Sequence, residues 1–217
     1  MKLKHLALAF ASAFTFGSAQ AAFIPVGVQN DLSFTQVTGN WGWTLAYSNS
    51  YSSTDSIDNL FANVKAGQWV MIGARKHGTD VIDVAAAAKI EDVKTFTSLN
   101  TTHSANGSEW YYNNYSIGFA GLGQTISQNQ ADTNGSNERS RLSWHTVGAG
   151  GPNQVPTALN YGGWRSGNNL NLNGSNAFDR VIFTANVAPV PEPETYALMG
   201  MGLVGLLAAR RRKAKQA

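Results

Sequence analysis

Three kinds of side chain in this sequence could do chemistry: histidines, paired carboxylates and clustered aromatics. His77, His103 and His145 stand far apart in the chain. They would ligate a metal only if the fold gathered them; dispersed strand or surface histidines are the other reading, and no metal site is assigned. There is no cysteine, which excludes thiol catalysis and cysteine metal sites. No H-E-x-x-H, phosphate loop or G-x-S-x-G elbow occurs. Glycoside hydrolysis needs two facing carboxylates, and Glu109 and Glu138 are the candidates among scattered acids. No catalytic residue is assigned on that basis. Residues 132–138 alternate oxygen side chains, as calcium loops do, yet lack the Gly and Glu of an EF-hand. Calcium is therefore the one ion the pattern would suit, and no cofactor is assigned. The aromatics are more suggestive. Trp110, Tyr111, Tyr112, Tyr115 and Trp164 lie among Asn, Ser and Gly. A flat ring can stack on the apolar face of a pyranose while amides bond its hydroxyls. Trp110, Tyr111, Tyr112 and Trp164 are the candidate ligand-binding residues, with a sugar as the ligand. The same rings would serve equally well as core.

The elements that must hold these residues read as strands. Apolar runs are short and punctuated by Gly, Asn and Ser, as in all-β domains. Residues 32–37 alternate, and residues 41–47 put Trp41, Trp43, Leu45 and Tyr47 on one face. Residues 68–75 are apolar on both faces, which predicts a central strand, and Lys76, His77, Gly78 and Thr79 form a hairpin turn into the next. Residues 83–96 fit either a helix or a pair of strands, and the neighbouring strands favour the pair. Residues 99–107 read as a polar loop. Strands are expected around 110–112, 115–119, 142–147 and 178–187, with Gly-, Pro- and Asn-rich connections between. The expected fold is all-β: a two-sheet β-sandwich, with a jelly roll as one arrangement.

Both ends concern export. Lys2 and Lys4 precede an apolar run over 6–16, and Ala19 and Ala21 flank a small-x-small cleavage site. This is the pattern of a secretory signal peptide over 1–21. Near the other end come Pro191, Glu192 and Pro193, then an apolar run over 196–209, then Arg210, Arg211, Arg212 and Lys213. Prolines on either side of Glu192 keep that stretch extended and out of helices. Fourteen residues make a helix of about 21 Å, short against a hydrocarbon core of about 30 Å. The basic cluster would stay cytoplasmic. Gly200, Gly202 and Gly205 fit G-x-G-x-x-G, but no strand precedes them and only 12 residues follow; a dinucleotide site needs both a strand and a distant acid.

The order of proline handle, short span and arginine cluster resembles the PEP-CTERM sorting signal of Gram-negative bacteria. That resemblance covers about 26 residues and implies a partner, exosortase, which recognises Pro191, Glu192 and Pro193 and removes the tail. It also implies transient residence in the inner membrane and delivery to the cell surface or exterior, beside exopolysaccharide export in a biofilm matrix. Glu194 stands where many members have Ser.

The formal charge of +3 belongs to the ends, since the stretch over 22–190 holds nine Lys and Arg against eleven Asp and Glu. It has no concentrated positive face for nucleic acid. The expected organisation is a signal peptide at 1–21, an exported β-sandwich at 22–188 and a sorting signal with a short transmembrane helix at 189–217. The expected role is structural or adhesive and non-enzymatic, with exopolysaccharide contact. The alternatives are a secreted carbohydrate-active enzyme and an uncleaved, tail-anchored envelope protein.

Overall fold

The computed structural model describes residues 21–113, 115–126, 138–145 and 162–186. The signal-peptide stretch up to residue 20, most of the oxygen-rich loop and the whole sorting signal lie outside them. Among the described residues no helix is long and apolar enough to cross a membrane.

Among the described residues ten strands form two antiparallel sheets: β1 (Gln29–Ser33), β2 (Thr44–Ser50), β3 (Trp69–Lys76), β4 (Val81–Lys89), β5 (His103–Ala105), β6 (Ser108–Tyr112), β7 (Ser116–Gly121), β8 (Leu142–His145), β9 (Gly163–Ser166) and β10 (Phe178–Ala185). Sheet A runs β1-β4-β3-β10-β2 and sheet B runs β5-β6-β7-β8-β9. One buried cluster joins them, with Val70, Ile72, Val84 and Ile182 from sheet A against Trp110, Ile117, Phe119, Leu142 and Trp144 from sheet B. The arrangement is sandwich-like. Among the described residues the five strands of sheet B follow one another in chain order as a meander, which is not the Greek-key order of a jelly roll.

As its pattern predicts, β3 is central and buried on both faces. Its neighbour β4 contains four successive alanines, good helix formers, yet is extended. Pairing on both sides decides this: β4 lies between β1 and β3. Ala86 and Ala88 face sheet B while Ala85 and Ala87 face outward into a second cluster. The strand ends at Lys89 in one helical turn, α2 (Ile90–Val93), so the second strand expected after it does not form. An earlier turn, α1 (Ile57–Leu60), is capped by Ser56, which accepts from the Asn59 N–H.

The outward face of sheet A is covered by its own chain. Residues 22–24 cross it, with Ile24 against the cluster of Met71, Ala87, Phe183 and Ala185. The Phe23 N–H donates to Trp41 O at 3.0 Å, and the Trp43 indole donates to Phe23 O at 2.8 Å.

Three local expectations need correction. The strand expected over 32–37 stops at Ser33 because Asp80 accepts from Ser33 Oγ, Thr35 Oγ1 and the Thr35 N–H. The chain then makes a π-helical turn over Gln36–Asn40. Period two fails in β2: Leu45 pairs with Phe183 and Tyr47 with Ile182, leaving Ala46 as a bulge. Trp43 therefore joins the outward cluster, and Tyr47 packs against the inner one. The polar loop expected over 99–107 contains β5, which forms a hairpin with β6 across Asn106 and Gly107. Both have positive φ, 46° and 77°, as a type I′ turn requires.

Candidate functional site

The four candidate aromatics do not form one platform. Trp110 has no exposed surface; its ring packs 5.5 Å from Phe119, and its indole N–H donates to Ala105 O. Tyr111 is equally buried on the opposite face of sheet B, and its hydroxyl donates to Leu142 O. It lies across Gly118, where any Cβ would overlap the Leu142 carbonyl. Neither ring can meet a polysaccharide, so the core reading holds for both. As neighbours on one strand they face opposite sides of the sheet, and both sides are covered. Tyr112 and Trp164 are half-buried. They stand on β6 and β9, three strand spacings apart, or about 14 Å. Each has a different neighbour: Phe96 edge-on at 5.8 Å for Tyr112, His145 at 6.0 Å for Trp164. Phe96 is 60% exposed and Leu99 45% exposed, between Thr95, Thr97, Asn100 and Thr101. The sequence reading missed Phe96, because one Phe in a threonine-rich loop carries no periodic signal.

The carboxylates occupy separate networks. Glu109 accepts from Ser104 Oγ at 2.9 Å, the Gly123 N–H at 3.0 Å and Thr102 Oγ1 at 3.1 Å. Desolvation works to raise its pKa, and these donors outweigh it, holding the carboxyl below the usual range. It is an ionised acceptor that ties the loop after β7 to β5, not a proton donor. Glu138 meets Arg141 Nε at 2.7 Å and Arg165 Nη1 at 3.3 Å.

The histidines do not converge. His77 sits in the β3–β4 turn with Nδ1 3.0 Å from Asp179. His103 opposes Trp110 at the edge of sheet B. His145 ends β8, and burial pushes its pKa down to about 4. Among the described residues no three His, Asp or Glu side chains gather where a metal could bind.

A polar network absent from the sequence reading lies at the edge of sheet A. Asp55 Oδ2 accepts from Tyr47 OH at 2.6 Å, Asn49 Nδ2 at 2.8 Å and Ser53 Oγ at 3.0 Å. Arg180, fully buried on β10, donates to Ser53 O at 3.0 Å and to Ser53 Oγ, and stands 3.8 Å from Asp55. Spacing could not reveal it, since Asp55 and Arg180 are distant in sequence. The Tyr47 hydrogen bond comes first in holding the Asp55 carboxyl below its usual range. The network pins the segment after β2 to the sheet. Tyr51, in the same segment, spans the two sheets: its N–H donates to Phe178 O, and its O accepts from the Gly163 N–H.

The remaining candidate is the sorting signal, which leaves from this framework. β10 ends at Ala185, paired with Trp69 of β3, and Asn186 accepts from Gln68 Nε2. Residues 189–213 match the family model of the PEP-CTERM protein-sorting motif. The chain carries a PEP-CTERM sorting signal. The match takes in Pro191, Glu192, Pro193, Arg210, Arg211 and Arg212, which are the residues the sequence picked out. The PEP-CTERM motif points to exosortase-dependent sorting of an exported protein. It starts three residues beyond Asn186, the last described residue, and so beyond the end of β10 at Ala185. No curated protein and no solved structure matches the chain.

Proposed function

We propose that this is an exported protein that reaches the cell surface or extracellular matrix through an exosortase-type system, where its β-sandwich body has a structural or adhesive role. The observation that carries the reading is the PEP-CTERM match over 189–213. Residues 1–21 are its signal peptide, cut after Ala21 at the small-x-small site made by Ala19 and Ala21, and the 196–209 run holds the precursor in the inner membrane until exosortase removes it. The test is to change Pro191, Glu192 and Pro193 to alanine in the host and weigh the protein intact. An uncleaved, membrane-retained form is expected. An unchanged mature mass would refute exosortase processing, and a wild-type chain that keeps its tail would mean a permanent anchor.

The exposed Phe96 beside Tyr112 supports a second reading, exopolysaccharide contact at that edge. Its hydroxyl- and amide-bearing neighbours are the partners a glycan needs. Retention on the host's own polymer should fall with Phe96→Ala and stay intact with Leu122→Ala, another exposed apolar residue. Polymer shortened during the assay would favour the carbohydrate-active enzyme instead.

A further inference from the structure

The N-terminus left by the expected signal-peptide cut and the chain that leads to the apolar tail leave the body at the same end of sheet A. Ala22, the first residue after the expected signal-peptide cut, lies against Gly42: a Cβ there would stand 3.4 Å from Ala22 Cα. Gly42 is two residues before Thr44, which pairs with Thr184 near the end of β10. Ala185 in turn pairs with Trp69, and Trp69 with Lys89. One end of sheet A therefore carries Ala22, Trp41, Trp69, Lys89 and Ala185. The other end carries the turns around Thr54, Gly78 and Asn176.

These ends differ in chemistry. Phe23, 55% exposed, packs at a tilt against the half-buried Trp41, ring centroids 4.8 Å apart. Lys89 Nζ sits 5.2 Å over the half-buried Trp69 ring, and Lys65, in the turn that leads into β3, is exposed. Glu91 and Asp92 match those two lysines in number, and the Glu91 carboxylate is turned onto the Gly67 N–H, so the aromatic rings rather than net charge distinguish this end. At the other end, none of the large exposed apolar side chains among the described residues belongs to the turns over 51–55, 77–80 or 174–177. Aromatic rings and lysines are the side chains that settle at a bilayer interface.

We infer that this end of sheet A is the membrane-facing pole of the precursor, resting on lipid headgroups through Phe23, Trp41, Trp69, Lys65 and Lys89. The tether sets the distance. Nine residues, 187–195, separate Asn186 from the apolar run, and fully extended they reach about 30 Å. The headgroup layer fills several ångströms of that span, so the tail holds the body within reach of the bilayer surface. The inference rests on the reading that the apolar tail enters the bilayer.

The absence of cysteine makes the test clean. Ala66→Cys at the near end and Thr54→Cys at the far end are both exposed positions. Each full-length variant would be labelled with a fluorophore and reconstituted into vesicles of phosphatidylglycerol and phosphatidylethanolamine carrying a headgroup quencher. Quenching at least twofold greater at Ala66→Cys supports the inference; equal quenching, or more at Thr54→Cys, overturns it. Asn40→Cys, also exposed and next to Trp41, replaces Ala66→Cys should that variant misfold. Failure of the unlabelled chain to float with vesicles would overturn the tail reading itself, and the inference with it, an outcome separable from equal quenching.

Discussion

Tyr51 gives the sharpest test of how the two sheets are joined. It belongs to neither sheet, yet its hydroxyl accepts from the Trp144 indole N–H at 3.1 Å and donates to Arg165 O at 3.2 Å. Its ring lies against Gly163, where a Cβ would overlap it, and its carbonyl crowds Gly162, which has φ of 99°. Tyr51→Phe keeps the ring and removes only the hydroxyl. The Trp144 N–H, with no exposed surface on that residue, then has nothing to bond. An orphaned buried donor costs about 1–3 kcal/mol. At about 2–4 °C per kcal/mol for a domain of this size, the melting temperature should fall by about 2–12 °C. Urea unfolding followed by tryptophan fluorescence would show a lower midpoint with an unchanged slope. Repeating the change in a Trp144→Phe background should cost clearly less, because the donor is already gone. If Tyr51→Phe shifts stability by under about 0.5 kcal/mol, or costs the same in both backgrounds, the hydroxyl is not the joint described.

Alkaline pH should act on the same region. Burial comes first in raising both tyrosines, Tyr47 to about 12 and Tyr51 further. Their stabilisation is complete below pH about 10, the unfolded value, and is lost as pH rises through the folded values. An absorbance titration of the seven tyrosines should show at least two that ionise only as the protein unfolds. Glu109 has the opposite sign. Its folded pKa is depressed, so its contribution is present above the unfolded value of about 4.5 and lost as pH falls through the folded one. Glu109→Gln should cost about 1–3 kcal/mol at neutral pH, since an amide N–H then faces a donor, and should flatten the stability profile below pH about 4. An acid profile identical to wild type would show that Glu109 is not the titrating group.

What the sequence made legible was local. β3 and β10 carry their burial in their own residue types, and the turn at 76–79 is written in Gly78. The sorting signal was legible for the same reason: handle, apolar run and arginines are contiguous. What depended on partners was not legible. Bulge geometry at Ala46 reverses the face of Tyr47, and Asp80, reaching from the next hairpin, ends β1. Trp110 and Tyr111 show the limit most clearly, because alternation assigns rings to faces but does not say what covers each face. The Asn106–Gly107 pair was a readable hairpin signal, outweighed in the sequence reading by the polar residues around it.

The position of β10 makes a last prediction about processing. It is the final described strand, and it lies between β3 and β2 with ladders on both sides. A protein that loses its C-terminus on the way out must not lose a strand with it. Here the motif begins at residue 189 and β10 ends at Ala185, so cleavage anywhere within the motif leaves the ten described strands intact. A chain ended at residue 188 should therefore melt within about 2 °C of the unprocessed one, both measured in detergent. Ending it at Arg180 removes Val181, Ile182, Phe183 and Ala185, all buried. At about 1.5–3 kcal/mol for each large side chain, and with edges exposed on β2 and β3, the loss approaches the whole stability of a typical domain, about 5–15 kcal/mol. That shorter chain should not fold. If it did, or if loss of the motif alone unfolded the body, then sheet A and the sorting signal would not be the separable units that their adjacency in the chain allows.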